Sequence, residues 1–332
     1  MAIDELEVIR FRGLVKLPVL KFNLINVIVS PGNFGKTSLL QAIYTSMGYD
    51  HGEQIMHAAS FFKNTRCRDF DYFKQLVSPY ENDIFGYNLS VCSNGIHINK
   101  RMLGRFETDK CFKGSYFADV NNDALNFFNK YKGNVCFRRD EKVKVNPKVV
   151  YPDFAYFDFD SNYRPLPTGL KDPDIKAFAL NYLSWLDKDV HGIFMRDHKF
   201  WIRHFKLGNI PAEMFGSAAL KFIEFCEFCS KNKGKTLFVD NIDSYLTPPV
   251  WHDYCEMLLA ALTVTGSQVF MTARSREFGE LAVERMKQAL HYDKINYINI
   301  RRTEDDKITA DYKEGYNTRL DIIKKMLIYY ED

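Results

Sequence analysis

A chain of 332 residues with 46% hydrophobic content is long and apolar enough to bury a large core, which excludes a disordered class. Its 45 basic and 42 acidic side chains leave a net charge of +3, so no global polycation argues for nucleic acid, although local patches remain. Seven scattered cysteines favour reduced thiols over a complete disulfide framework, Asp4, Glu5 and Glu7 exclude a secretory leader, and no apolar run approaches the ~18 residues of a membrane span. These features read as a soluble cytoplasmic chain with no membrane partner.

In chain order, the first strong element is Ile25–Val29, an almost continuously apolar and β-branched run of the kind found in parallel strands covered on both faces. Helical apolar spacing follows from Thr37 to Ile43. Between them, Ser30-Pro31-Gly32-Asn33-Phe34-Gly35-Lys36-Thr37 fits the phosphate-loop pattern G-x-x-x-x-G-K-[ST] except at its first glycine, here Ser30. A loop bending at Gly35 into a helix N-terminus would wrap a polyphosphate in backbone amides. Lys36 would then meet the β- and γ-phosphates of ATP, and the Thr37 hydroxyl would hold Mg²⁺.

From about residue 50 to 150 the chain turns aromatic and Asn-rich, with alternating runs such as Ile84–Val91 and Gly95–Ile98 that predict an inserted antiparallel lobe. Within it, Lys130–Lys148 carries seven basic and two acidic residues; it reads as a solvated hairpin or as a contact for nucleic acid phosphates. A strand at Phe154–Phe157, a helix from Asp172 to Leu186 and a short β region around Ile193–Ile202 come next, and 170–232 forms a helical region. Cys226 and Cys229 form a C-x-x-C inside an apolar helical pattern, with no second pair to complete four ligands, so they read as core thiols. The aromatic residues, 15% of the chain, fall mostly on apolar periodicities and read as core rather than as stacking platforms.

The half from 233 to 332 alternates strand Thr236–Val239, helix Val250–Ala261, strand Gln268–Thr272, a helix, and a closing strand Ile295–Ile300. "TLFVDNIDSYLTPP" ends its strand at Asp240, an acidic partner for the Mg²⁺ water shell about two hundred residues after the phosphate loop. That separation implies a large insertion.

Four ordered segments together resemble the ABC-type ATPase heads of the SMC, RecF and OLD (overcoming lysogenisation defect) group, especially the OLD-like members. They are "LEVIRFRGLVKLPVLKFNLINVIVSPGNFGKTSLLQAI", "PAEMFGSAALKFIEFC", "FVDNIDSYLTPP" and "GSQVFMTARSREF". The resemblance covers nearly the whole chain and implies an α/β P-loop NTPase: a single ABC ATPase domain over 1–332, with an inserted antiparallel β lobe at 50–150 and a helical signature subdomain. It further implies head-to-head dimers that sandwich ATP and Mg²⁺. The nucleotide set it implies is Arg12, Asn33, Gly35, Lys36, Thr37 and Ser38 with Gly216 of the signature segment, and its metal set is Thr37 and Asp240. Arg12 reads equally as a surface arginine in a turn.

Departures cluster where the family carries out hydrolysis. Asn241 stands at its glutamate, Arg274 at its switch histidine, Ser217 and Ala218 in its signature, and Ser30 at its first loop glycine. An arginine at 274 would reach a γ-phosphate or form a plain salt bridge. Asp243, two residues beyond Asn241 on an extended segment, would face the same side and partly replace the lost base. OLD proteins continue into a TOPRIM nuclease domain, for which the chain after the closing strand has no room, so a nuclease would be a separate polypeptide. The expectation is an ATP-binding, self-associating sensor or scaffold for a separately encoded effector in phage defence, with slow hydrolysis. Two rivals remain: an active DNA-repair ATPase that binds DNA, and a structural protein that has lost nucleotide.

Overall fold

The computed structural model describes residues 3–30, 35–47, 78–81, 84–93, 96–108, 111–122, 127–138, 154–160, 167–246, 248–289, 295–302 and 308–314. The chain is a mixed α/β protein that divides into two compact units. One comprises Met1–Asn23, Ser30–Tyr156 and Ile298–Tyr312; the other comprises Leu24–Val29, Phe157–Tyr297 and Lys313–Asp332.

The first unit is built on an antiparallel sheet. β1 (Glu5–Phe11) pairs with the short β2 (Leu14–Val15) and β3 (Leu20–Lys21). Its other edge joins β6 (Ile84–Ser93), and the sheet continues through β7 (Ile96–Thr108), β8 (Cys111–Asn122) and β9 (Phe127–Arg138), with β5 (Ser78–Glu81) also on β6. Period-two alternation buries Leu6 and Val8 of β1; an irregularity between Val8 and Arg10 then shifts the phase, so that Phe11 is buried instead of Arg10. The alternating runs near Ile84 and Ile98 do pair antiparallel, with Val91 opposite Ile98. Helix α1 (Lys36–Met47) buries Leu39, Leu40, Ala42, Ile43 and Met47. At its last turn the buried Lys100 of β7 donates through Nζ to the Thr45 carbonyl at 3.1 Å, so a cation meets the helix's unpaired C-terminal carbonyls.

At the centre of the second unit are three parallel strands in the order β14 (Thr236–Asp240), β15 (Val269–Ala273) and β4 (Ile25–Val29). Every residue of all three is buried, which is why each reads as a continuous apolar run. The one amide among them, Asn26, is satisfied: its Nδ2 donates to the Val269 carbonyl at 3.2 Å and its Oδ1 accepts from Asn296 Nδ2 at 3.4 Å. The full sheet order is β10 (Phe154–Asp158), β14, β15, β4, β16 (Ile295–Arg302) and β17 (Ile308–Glu314). β17 is a strand that the sequence reading did not anticipate.

Helix α2 (Pro173–Leu186) starts where the sequence marks it, with Asp172 as N-cap accepting from the Asp174 and Ile175 amides at 3.1 Å and Pro173 at the first turn. α2, α3 (Ser217–Lys231) and α4 (Trp251–Thr263) share an aromatic core. The Tyr182 and Phe222 rings lie 4.3 Å apart, and Phe222 and Tyr254 5.5 Å. Cys226 and Cys229 are wholly buried in it, and desolvation pushes both thiols upward, so they are inert core residues. The short β region around Ile193 is a three-stranded antiparallel sheet of β11 (Val190–Arg196), β12 (Lys199–His204) and β13 (Gly208–Pro211). Among the described residues, no helix is long and apolar enough to cross a membrane.

Helix α5 (Arg276–Ala289) packs against β4 at Gly279, where an added Cβ would lie 2.2 Å from Val29 Cγ1. Valine and glycine differ little in helix propensity. Gly279→Val therefore isolates the overpacking cost, and chemical denaturation should show a loss of about 1–3 kcal/mol.

Candidate functional site

The sequence-derived site residues fall into two groups, one in each unit. In the first, Gly35 has φ +97°, a backbone conformation that favours glycine, and a Cβ there would come within 2.9 Å of the Leu14 Cδ2 methyl. Its carbonyl accepts the first helical bond from Leu39 N at 2.8 Å. Lys36, the first residue of α1, is 8% exposed, and its Nζ donates to the Ser30 carbonyl at 3.1 Å. Thr37 and Ser38 are half-buried on the first turn. Arg12 sits at φ +53° in the turn after β1 and donates through Nη1 to the buried Gln41 of α1. It is therefore tied to the helix rather than loose at the surface. Asn33 lies outside the described residues, as does 139–148 of the basic run; 130–138 of that run belongs to β9.

The second group sits at the end of β14. Asp240 is 2% exposed and accepts a hydrogen bond from the Thr272 hydroxyl of β15, which in turn accepts from the Asn241 amide at 3.0 Å. Asn241 has φ +57°, a left-handed conformation that asparagine tolerates far better than glutamate. The chain turns here, and Ile242 N donates to the Thr272 carbonyl at 2.9 Å. The extended path expected through Asp243 is therefore absent. The Asp243 carboxylate instead accepts from Arg274 N at 2.9 Å on each oxygen and from Ser275 N at 2.6 Å, fastening the turn between β15 and α5. With both oxygens committed, it is a fixture of that turn rather than an open base. Ser275 caps α5, its Oγ accepting from Phe278 N at 3.1 Å, and Arg276 pairs with Glu280 at 2.9 Å.

Arg274 takes the salt-bridge form of its two readings: its Nη2 pairs with Asp160. Beside it lies a carboxylate the sequence reading passed over. Asp158, the last residue of β10, accepts from Asn241 Nδ2 at 3.1 Å and from Asp160 N at 2.9 Å, both on Oδ1. The two strand ends also meet through Phe159 N and the Asp240 carbonyl at 3.1 Å. Burial raises the Asp158 carboxyl above the ordinary carboxylate range; the Asn241 bond and the charges of Lys221 and Arg274 oppose this. The signal was present, since "FAYFD" ends an apolar strand on aspartate just as "TLFVD" does.

Gly216 opens the fifteen-residue α3 at φ +118° with no side chain capping it. Lys221, one turn in, is buried and pairs with Glu224 at 3.4 Å. Apart from these groups, Asp187, Asp189 and His204 cluster closely enough to hold a metal ion. His204 is already used, however: Nδ1 accepts from the Lys206 and Leu207 amides at 3.1 and 3.2 Å, and Nε2 faces Asp187 Oδ2 at 3.1 Å. Lys206 pairs with Asp189. The cluster is a structural tie at the end of β12.

No family model matches the chain, and no curated protein matches it. Among solved structures it is similar to the SMC head domain from Thermotoga maritima, with 11% identity and a TM-score of 0.48 over 95% of this chain and 100% of that one. It is also similar to the recombination mediator protein RecF of the RecFOR pathway in two forms. RecF-ATPrS gives 11% identity and a TM-score of 0.40 over 94% of this chain and 98% of that one; RecF-ATP gives 13% and 0.39 over 94% and 99%.

The fastening role of Asp243 has a measurable consequence. Asp243→Ala leaves the Arg274 and Ser275 amides without their acceptor, and urea unfolding should show a loss of about 1–2 kcal/mol.

Proposed function

We propose that this chain is an ATP-binding subunit of ABC type that self-associates and serves as a sensor or scaffold for a separately encoded effector, with slow ATP turnover. The observation that carries the reading is Lys36: a buried ammonium at the first residue of a helix, reached through a positive-φ bend at Gly35 that favours glycine. Such a cation beside unpaired helix amides is a site for polyphosphate. In this reading Lys36 takes the β- and γ-phosphates, with Gly35 and Ser38 supplying loop amides. Thr37 takes Mg²⁺, and Asp240 is the acidic residue that the family resemblance assigns to that ion.

β14, β15 and β4 are parallel, so Asp240 ends on the same edge of the sheet from which the loop after Val29 departs. Ligands in open α/β sheets favour that edge. Slow turnover follows from Asn241, because an amide can orient water but cannot take its proton. Self-association is supported by the uncapped N-terminus of α3 at Gly216, whose backbone donors suit a phosphate presented by a second copy. The effector is the further part of the proposal, and it rests on the family resemblance alone; a nuclease in phage defence is the partner that resemblance implies.

Lys36→Ala should abolish ATP binding in titration calorimetry; equal affinity in wild type and variant would contradict the reading. Light scattering should show a larger mass with ATP and Mg²⁺ than without, and a monomer under both conditions would remove the self-association.

A further inference from the structure

β11 is an edge strand, with β12 as its one neighbour among the described residues. The hairpin joining them turns on Asp197 and His198, at φ +51° and +55°, and Arg196 stands opposite Lys199. A two-residue turn of this kind makes its flanking residues a hydrogen-bonded pair. Alternation then leaves Met195 opposite Phe200 and Ile193 opposite Ile202 as non-hydrogen-bonded pairs, so the N–H and C=O groups of Ile193 and Met195 point away from β12.

A cleft of about 270 Å³ lies along that edge, between residues 193–195 and the segment 168–171, with Lys176 of α2 and Phe200 also lining it. The segment is fixed in place: Glu227 Oε1 accepts from the Thr168 and Gly169 amides, the second at 2.9 Å. Lys171 and Lys176 are exposed, and neither has an ion-pair partner among the described residues. Asp172 and Glu227, the acids beside them, are already paired with Lys233 and Lys231. All of these residues belong to the second unit.

We propose that this cleft binds the carboxyl-terminal end of a partner polypeptide, which adds to β11 as a short strand with its terminal carboxylate held by Lys171 and Lys176. The outward groups of Ile193 and Met195 suit a short stretch of extended chain, whose backbone pairs with the open edge. Two unpaired ammonium groups call for an anion, and Ile193, Phe194 and Phe200 for an apolar side chain. The cleft is smaller than the ~300 to 1,000 Å³ that encloses a whole small molecule, so it takes one end of a larger ligand. A chain terminus supplies all three: an extended backbone, a carboxylate and a last side chain. The inference stands apart from the nucleotide reading.

The test is a selection, without ATP, from a random octapeptide library displayed on phage with free carboxyl termini. The enriched peptide is then labelled and its affinity measured by fluorescence anisotropy, as the free acid and as the terminal amide. Wild type should select peptides with an apolar last residue, and amidation should weaken binding by about tenfold or more. In the double variant Lys171→Ala, Lys176→Ala, the free acid should bind as weakly as the amide does to wild type, with melting unchanged because both side chains are exposed. No enrichment, equal binding of acid and amide, or wild-type affinity in the lysine variant overturns the inference. Because ATP is absent throughout, failure of nucleotide binding leaves it standing.

Discussion

The Thr272 hydroxyl holds the edge of the parallel sheet in register. It donates to Asp240 and accepts from the Asn241 amide, joining the ends of β14 and β15 where the chain turns away from the sheet. Because Thr272 is wholly buried, its one donor and its acceptor must both be used inside the protein. From that constraint the rest follows. The Asn241 backbone adopts a left-handed conformation, its side chain is aimed at Asp158, and the turn beyond it brings Asp243 to the amides that start α5.

Ser30, Asn241 and Arg274 are built into the fold. Ser30 is buried and its carbonyl seats the Lys36 ammonium. Asn241 occupies a backbone conformation in which glutamate would be strained. Arg274 neutralises Asp160 beside the Asp158 carboxylate.

The parallel strands were legible because strands covered on both faces must be apolar throughout: Ile25–Val29 was read to the residue, and Thr236–Asp240 and Val269–Ala273 to within one. Helix α2 was legible through its Asp-Pro start. β17 was not, since its alternating "ITADYKE" gives only a weak strand signal, and its pairing is decided by the sheet it joins. The apolar pattern marks a strand over Phe154–Phe157, and the structure extends it by one residue, Asp158. The chemistry of the edge was the least legible part. Asn241 and Asp158 are 83 positions apart and Asp243 and Arg274 31, and no local pattern announces a hydrogen bond over such distances. The left-handed turn at Asn241 likewise separates Asp243 from the path that period-two reasoning gave it.

The most direct measurement of the central claim is a structure determined with Mg²⁺ and a non-hydrolysable ATP analogue. The account expects the triphosphate on the amides of Gly35 to Ser38 with Lys36 moved from the Ser30 carbonyl to the phosphates, and the ion against Thr37. A nucleotide bound elsewhere, or Lys36 still on Ser30 with the loop empty at saturating analogue, would contradict it.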